Sequence, residues 1–219
     1  MIKNKFIVRI FYALTLLLFG ALITFANIYP LNCEDIPSNA IGLCQLDKHL
    51  TVYSKPDFSS RVRFESSIDY QNLKQSKQDN LFAVLVPDKE LGYAYVTDIS
   101  DDEEWLEVIF DKSSNKRGWV HKNDDFQFLN WTDFLNLYGR KYGLTKLISE
   151  EIRIMGIYSN PDNNAQVIGN LTRAKSIRLT STEGIWVLVT VLDFSGKVTT
   201  GYIKWRDESG KIYLFPILK

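Results

Sequence analysis

The sequence predicts an all-β protein in which one small β module occurs twice, the copies joined by a short helix and preceded by an N-terminal apolar helix. Three observations predict it. A block of residues recurs later in the chain, and each copy is followed by a second shared block. Short apolar runs alternate with polar turn segments, the pattern of strands and hairpins. Aromatic residues make up 13% of the chain, with 11 Tyr and 5 Trp, residues that suit a pleated, half-buried surface. The 219 residues are 45% hydrophobic and 24% charged, which is enough for one or two domains with buried cores. The formal net charge is zero, and no basic excess points to a nucleic-acid partner.

Residues 1–26 read differently from the rest. Lys3, Lys5 and Arg9 give a positive start, and Ile10 to Ala26 then run for 17 residues without a charge. A charged start before an apolar run describes a secretory signal, with cleavage after Ala26 placing Thr24 and Ala26 at the small-residue positions. The run is longer than a usual signal core and slightly short of a comfortable span, so an uncleaved membrane anchor is the alternative. Either way the positive flank stays cytoplasmic and the remainder is exported, to the periplasm or the extracellular space. A chain starting at Asn27 has 23 basic and 26 acidic residues, a net charge of −3.

Residues 27–45 form a lead segment that holds both cysteines, Cys33 and Cys44. In an oxidising compartment the two are expected to form a disulfide, which the chain-entropy account values at about 3 kcal/mol. In a reducing compartment they remain thiols. A metal site is not indicated, because His49 is the only histidine near them.

The repeat is the strongest signal. Residues 52–62 read VYSKPDFSSRV and residues 157–167 read IYSNPDNNAQV. Tyr53, Ser54, Pro56, Asp57 and Val62 match Tyr158, Ser159, Pro161, Asp162 and Val167. In each copy a β-branched residue and Tyr end a strand, Pro-Asp fixes a turn, and Val begins the return. The second block is residues 103–122 in one copy and 184–205 in the other. There Trp105, Val108, Gly118, Trp119 and Val120 match Trp186, Val189, Gly201, Tyr202 and Ile203. Each reads as strand, turn, strand, with Asp111 to Lys116 and Asp193 to Lys197 as polar turns. The glycine before the aromatic residue fits a place where another backbone comes close.

The order Y-S-x-P, then W-x-x-V, a polar hairpin, and G-W-V or G-Y-I resembles the bacterial SH3 domain, a small barrel common in exported proteins. The resemblance implies a first module over residues 46–127 and a second over 149–219. The second matches at ordinary module length. The first holds about 24 extra residues, since Val62 and Trp105 stand 43 positions apart and Val167 and Trp186 only 19. This insertion, about 71–98, reads as an extended hairpin projecting from the barrel, with strand candidates at 81–86 and 92–99.

Residues 128–148 form a helical linker. Trp131, Phe134, Leu135 and Tyr138 fall on one helical face, Asn130 can cap the start and Gly139 sits near the stop. Packing of this face on one or both barrels is the expected role. The acidic run Asp101 to Glu104 reads as a solvated loop.

The resemblance brings the expectation of a cell-wall enzyme next door, since such modules often accompany one. No region here is long enough to hold it, and no GxSxG, HExxH or P-loop is present. His49 and His121 read as exposed polar residues. Neither a catalytic residue nor a cofactor is assigned. Surface aromatics remain, because flat rings hold extended peptides at low entropic cost. Tyr53, Trp119, Tyr158, Tyr202 and Trp205 are the candidate ligand-binding residues. Strand alternation puts Tyr202 outside and Trp205 inside if Ile203 is core, while Trp105 and Trp186, in apolar runs, read as core.

The function these readings favour is a non-catalytic envelope protein whose two SH3-like barrels bind a peptide, a cell-wall stem peptide or a protein partner. The alternative is an envelope assembly factor that docks through the first module's insertion. A cell-wall hydrolase is the third reading.

Overall fold

Short runs of β-branched and aromatic residues bounded by Asp, Ser, Asn and Gly dictate strands joined by tight turns, and the structure follows that prescription. It is a computed structural model that describes residues 27–46, 48–70, 80–122, 127–149 and 155–218. The apolar helix expected in the segment 1–26, as signal or anchor, lies outside these residues, as does the polar stretch 71–79 of the insertion.

The first sheet comprises β1 (Gly42–Gln45), β2 (His49–Tyr53), β3 (Val62–Ser67), β4 (Val84–Val86), β5 (Leu91–Ile99), β6 (Trp105–Asp111), β7 (Lys116–His121) and β8 (Phe128–Asn130). The second comprises β9 (Leu144–Lys146), β10 (Gly156–Tyr158), β11 (Val167–Asn170), β12 (Ala174–Glu183), β13 (Trp186–Asp193), β14 (Val198–Lys204) and β15 (Leu214–Pro216). Both are antiparallel. Their strand orders are β3-β2-β7-β6-β5-β1-β8, with β4 added on β5, and β11-β10-β14-β13-β12-β9-β15. The two orders are the same once each strand is matched to its copy. The repeat therefore reaches beyond the two blocks visible in the sequence. The lead segment contributes β1, and the linker contributes β8 and β9.

The repeated turns share their backbone and Asx hydrogen bonds. Asp57 accepts from the Ser59 amide at 2.8 Å, and Asp162 from the Asn164 amide at 2.8 Å. The Ser54 amide donates to the Arg61 carbonyl at 2.8 Å, and that of Ser159 to Gln166 at 2.9 Å. The glycines before the aromatic residues have one cause. A Cβ on Gly118 would stand 2.6 Å from the Tyr53 carbonyl oxygen, and one on Gly201 would stand 2.6 Å from that of Tyr158.

Alternation along the strands sorts the cores. Leu50, Val52, Ala94, Val96, Leu106, Val108 and Val120 point into the first sheet's own cluster. The second cluster is larger. It joins the inner face of the second sheet (Ile157, Val187, Val189, Ile203), the linking helix (Trp131, Phe134, Leu135) and the opposite face of the first sheet (Leu43, Tyr93, Tyr95, Ile109). Each such aliphatic or aromatic side chain gains roughly 1.5–3 kcal/mol from leaving water. The helix runs as α1 (Trp131–Phe134), a π-helical turn (Leu135–Gly139) and α2 (Arg140–Tyr142). Asn130 caps it, accepting from the Asp133 amide at 2.9 Å. It ends at Gly143, where φ is +88°, and not at Gly139, which instead lets the helix approach Leu144 and Leu179.

Two expectations are overturned. The described part of the insertion does not project as a hairpin. Leu81 to Val86 are all at most 5% exposed, and β5 is a central strand paired with β1, β4 and β6. β5 is the counterpart of β12, and the extra residues before it supply β4, which has no counterpart among the described residues of the second sheet. Nor does a disulfide join Cys33 and Cys44. Cys44 on β1 faces the first sheet's cluster, whereas Cys33 packs in the second cluster with Leu43, the residue on the other face of β1.

Candidate functional site

The outer face of the first sheet, away from its core, carries an aromatic group. The register pairs Tyr53 with Trp119 and Trp105 with His121. The turn after β2 folds Phe58 back over them. Phe58 lies 4.7 Å from Trp105 and 4.8 Å from His121 between ring centroids, and Tyr53 meets Trp105 edge-on at 5.6 Å. Trp105 is 3% exposed while Phe58 is 62% exposed. Trp105 is thus buried as expected, yet it belongs to neither core cluster. It is the floor of a surface group that Tyr53, Phe58 and His121 cover.

An acidic loop borders the group. The Ser100 hydroxyl accepts from the Trp105 amide at 2.9 Å and donates to Asp102, and Asp102 also accepts from the Glu104 amide at 3.1 Å. The Ser100 hydroxyl, then the Glu104 amide, hold the Asp102 carboxyl below the usual carboxylate range. Glu104 Oε2 lies 3.9 Å from His121 Nε2. The loop is solvent-exposed, as expected, and its internal bonds bring the Glu104 carboxylate beside the imidazole.

The second copy keeps the plan and changes the chemistry. Tyr158 pairs with Tyr202 across β10 and β14 and meets Trp186 edge-on at 5.3 Å. The register pairs Trp186 with Lys204, the counterpart of His121. The Lys204 ammonium stands 5.4 Å from the Trp186 ring centroid and 2.8 Å from Glu208. Asn163 occupies the place of Phe58.

Among the five sequence candidates, Tyr53 with Trp119 and Tyr158 with Tyr202 are brought together as half-buried cross-strand pairs. Trp205 is not a surface residue. It is 1% exposed, and its indole N–H donates to the Gly184 carbonyl at 3.0 Å. Phe58 was missed. The signal for it was an aromatic ring inside an exposed Pro-Asp turn whose copy holds Asn163.

The thiols lie elsewhere. Burial pushes the Cys44 thiol up to about 12, so it stays protonated and unreactive. His49 bonds the Ser67 hydroxyl at 3.2 Å. No protein-family model matches the chain, and no curated protein matches it.

Proposed function

We propose that the chain is a non-catalytic, exported envelope protein whose two SH3-like modules bind an extended peptide, with a cell-wall stem peptide or a partner protein as its source. The observation that carries this reading is Phe58, held 62% exposed on the Trp105–His121 group. A large ring fixed in solvent over a buried tryptophan offers rigid apolar area at little entropic cost. Glu104 beside His121 adds a polar contact at the rim. The setting of the thiols and of His121 supports binding over hydrolysis: Cys33 and Cys44 are buried, and His121 packs against the Phe58 and Trp105 rings.

The test uses the full chain in a zwitterionic detergent, pulled down with purified cell wall and titrated with wall stem peptides by tryptophan fluorescence. Phe58→Ala is expected to weaken binding by about 2 kcal/mol, roughly 30-fold, as an anchor residue does. Its melting temperature should stay close to the parent's, because the turn is exposed. Binding unchanged in this variant would sink the assignment of the site.

A further inference from the structure

The second sheet carries a cationic groove that no aromatic candidate touches. It runs between the end of the linking helix, β9 and β12, with a volume of about 670 Å³. Arg140, Lys141, Lys146, Lys175 and Arg178 line it, and no described carboxylate does. Among the described residues, none of the five forms an ion pair. Lys146 donates to the Leu171 carbonyl at 2.8 Å. Arg140 and Lys141 have an ordinary account, since cations suit a helix C-terminus. Lys146 is held by its bond to Leu171, whereas Lys175 and Arg178 come from a strand and no hydrogen bond or ion pair among the described residues accounts for them.

The duplication supplies an internal control. Register makes Ser176 and Arg178 on β12 the counterparts of Tyr93 and Tyr95 on β5, because Val96 pairs with Val108 and Leu179 with Val189. Tyr93 and Tyr95 are at most 2% exposed, covered by Phe134, Tyr138 and Trp131. Ser176 and Arg178 are exposed. A face that docks the helix in one copy is open and cationic in the other.

We propose that this groove binds a ligand bearing several adjacent phosphate groups. Five cations gathered with no counter-charge among the described residues repel one another, and a matching anion removes that repulsion. A phosphate monoester brings about 1.5–2 negative charges in a compact group. Few carboxylates fit in a groove of this size, so phosphate supplies the charge density better. Guanidinium groups add paired hydrogen bonds to the phosphate oxygens.

The probe is inorganic tripolyphosphate, titrated calorimetrically into the full chain in a zwitterionic detergent. Saturable one-site binding that weakens with added salt is expected. The double variant Arg140→Gln, Arg178→Gln should weaken it about tenfold or more, since charged hydrogen bonds are lost. The control double variant Arg61→Gln, Arg63→Gln removes the same charge beside another groove and should change it by no more than about twofold. Lys175→Gln alone gives a second reading should the first variant fold poorly. Equal weakening by both doubles would overturn the proposal in favour of unspecific charge attraction. A parallel arm uses phosphatidylglycerol vesicles. Groove-dependent vesicle binding without tripolyphosphate binding would overturn it in favour of a membrane surface.

Discussion

At the residue scale, close contacts make the sharpest predictions. Gly201 stands where a Cβ would lie 2.6 Å from the Tyr158 carbonyl and 2.7 Å from Ile157 Cγ2. Gly201→Ala is therefore expected to cost about 1–3 kcal/mol, read as a lower melting temperature in thermal denaturation. This constraint was legible in the sequence, because the glycine recurs before the aromatic residue in both copies. The hairpin carboxylates predict an acid response. The Ser114 and then Ser113 hydroxyls hold Asp111 low, and the Ser195 hydroxyl does the same for Asp193. At Asp207 burial acts to raise the carboxyl, but bonds from Ser209, Lys211 and Tyr213 outweigh it and keep it low. Each folded carboxyl thus binds its proton more weakly than in the unfolded chain, where an Asp titrates near 3.9. The stability they add is complete above about pH 5 and is lost as pH falls through the depressed folded values. Urea midpoints measured between pH 7 and pH 3 should fall with acidity, and Asp207→Asn should make that fall shallower. An identical slope in the variant would remove Asp207 from the account. Phe58 and Trp205 mark the limits of residue-level reading. Alternation turned Trp205 inward correctly, while a turn residue such as Phe58 has no alternation to be read by.

At the element scale the linking helix is where pattern and packing agree. The apolar spacing of Trp131, Phe134, Leu135 and Tyr138 forecast one buried face, and the first three are at most 7% exposed. Tyr138 reaches across to share a 2.6 Å hydrogen bond with Tyr93 on the first sheet. Phe134 meets both sheets, with Tyr93 at 5.6 Å and Phe215 at 5.4 Å. Phe134→Ala is expected to lose about 3–5 kcal/mol and to loosen both sheets together. Hydrogen exchange slowed less in β5 and in β15 alike would be its signature. The insertion shows why other elements were harder to read. Continuous apolar runs such as 81–86 and 91–96 do not say whether they lie buried or project, since period and length are the same for both. The missing cue was the copy: β5 had to be present because β12 is. This also narrows the assembly reading. Deleting 71–98 would remove a central strand, so a docking role is tested by replacing 71–79 alone.

At the scale of the whole molecule the two sheets are not beads on a linker. The second cluster runs through the helix onto the first sheet, and the lead segment straps both. Ile28 exchanges hydrogen bonds with Leu85 at 2.9 and 3.0 Å, and Leu31 and Cys33 bond Ile148 at 2.8 and 3.2 Å. Unfolding is expected as one cooperative transition with matching calorimetric and van't Hoff enthalpies. Two separated transitions would show that the sheets are independent. The sequence suggested two domains because its motifs lie inside each copy. The strands and contacts that join the copies carry no repeated motif, so only the pairing discloses them. The replacement of Tyr93 and Tyr95 by Ser176 and Arg178 has a last consequence. A head-to-tail contact between like units can propagate without end, as in repeat arrays and filaments. Here the two like units present different outer faces at the same register, buried rings in one and an exposed serine and arginine in the other, so the contact that seats the helix on the first sheet is not repeated on the second.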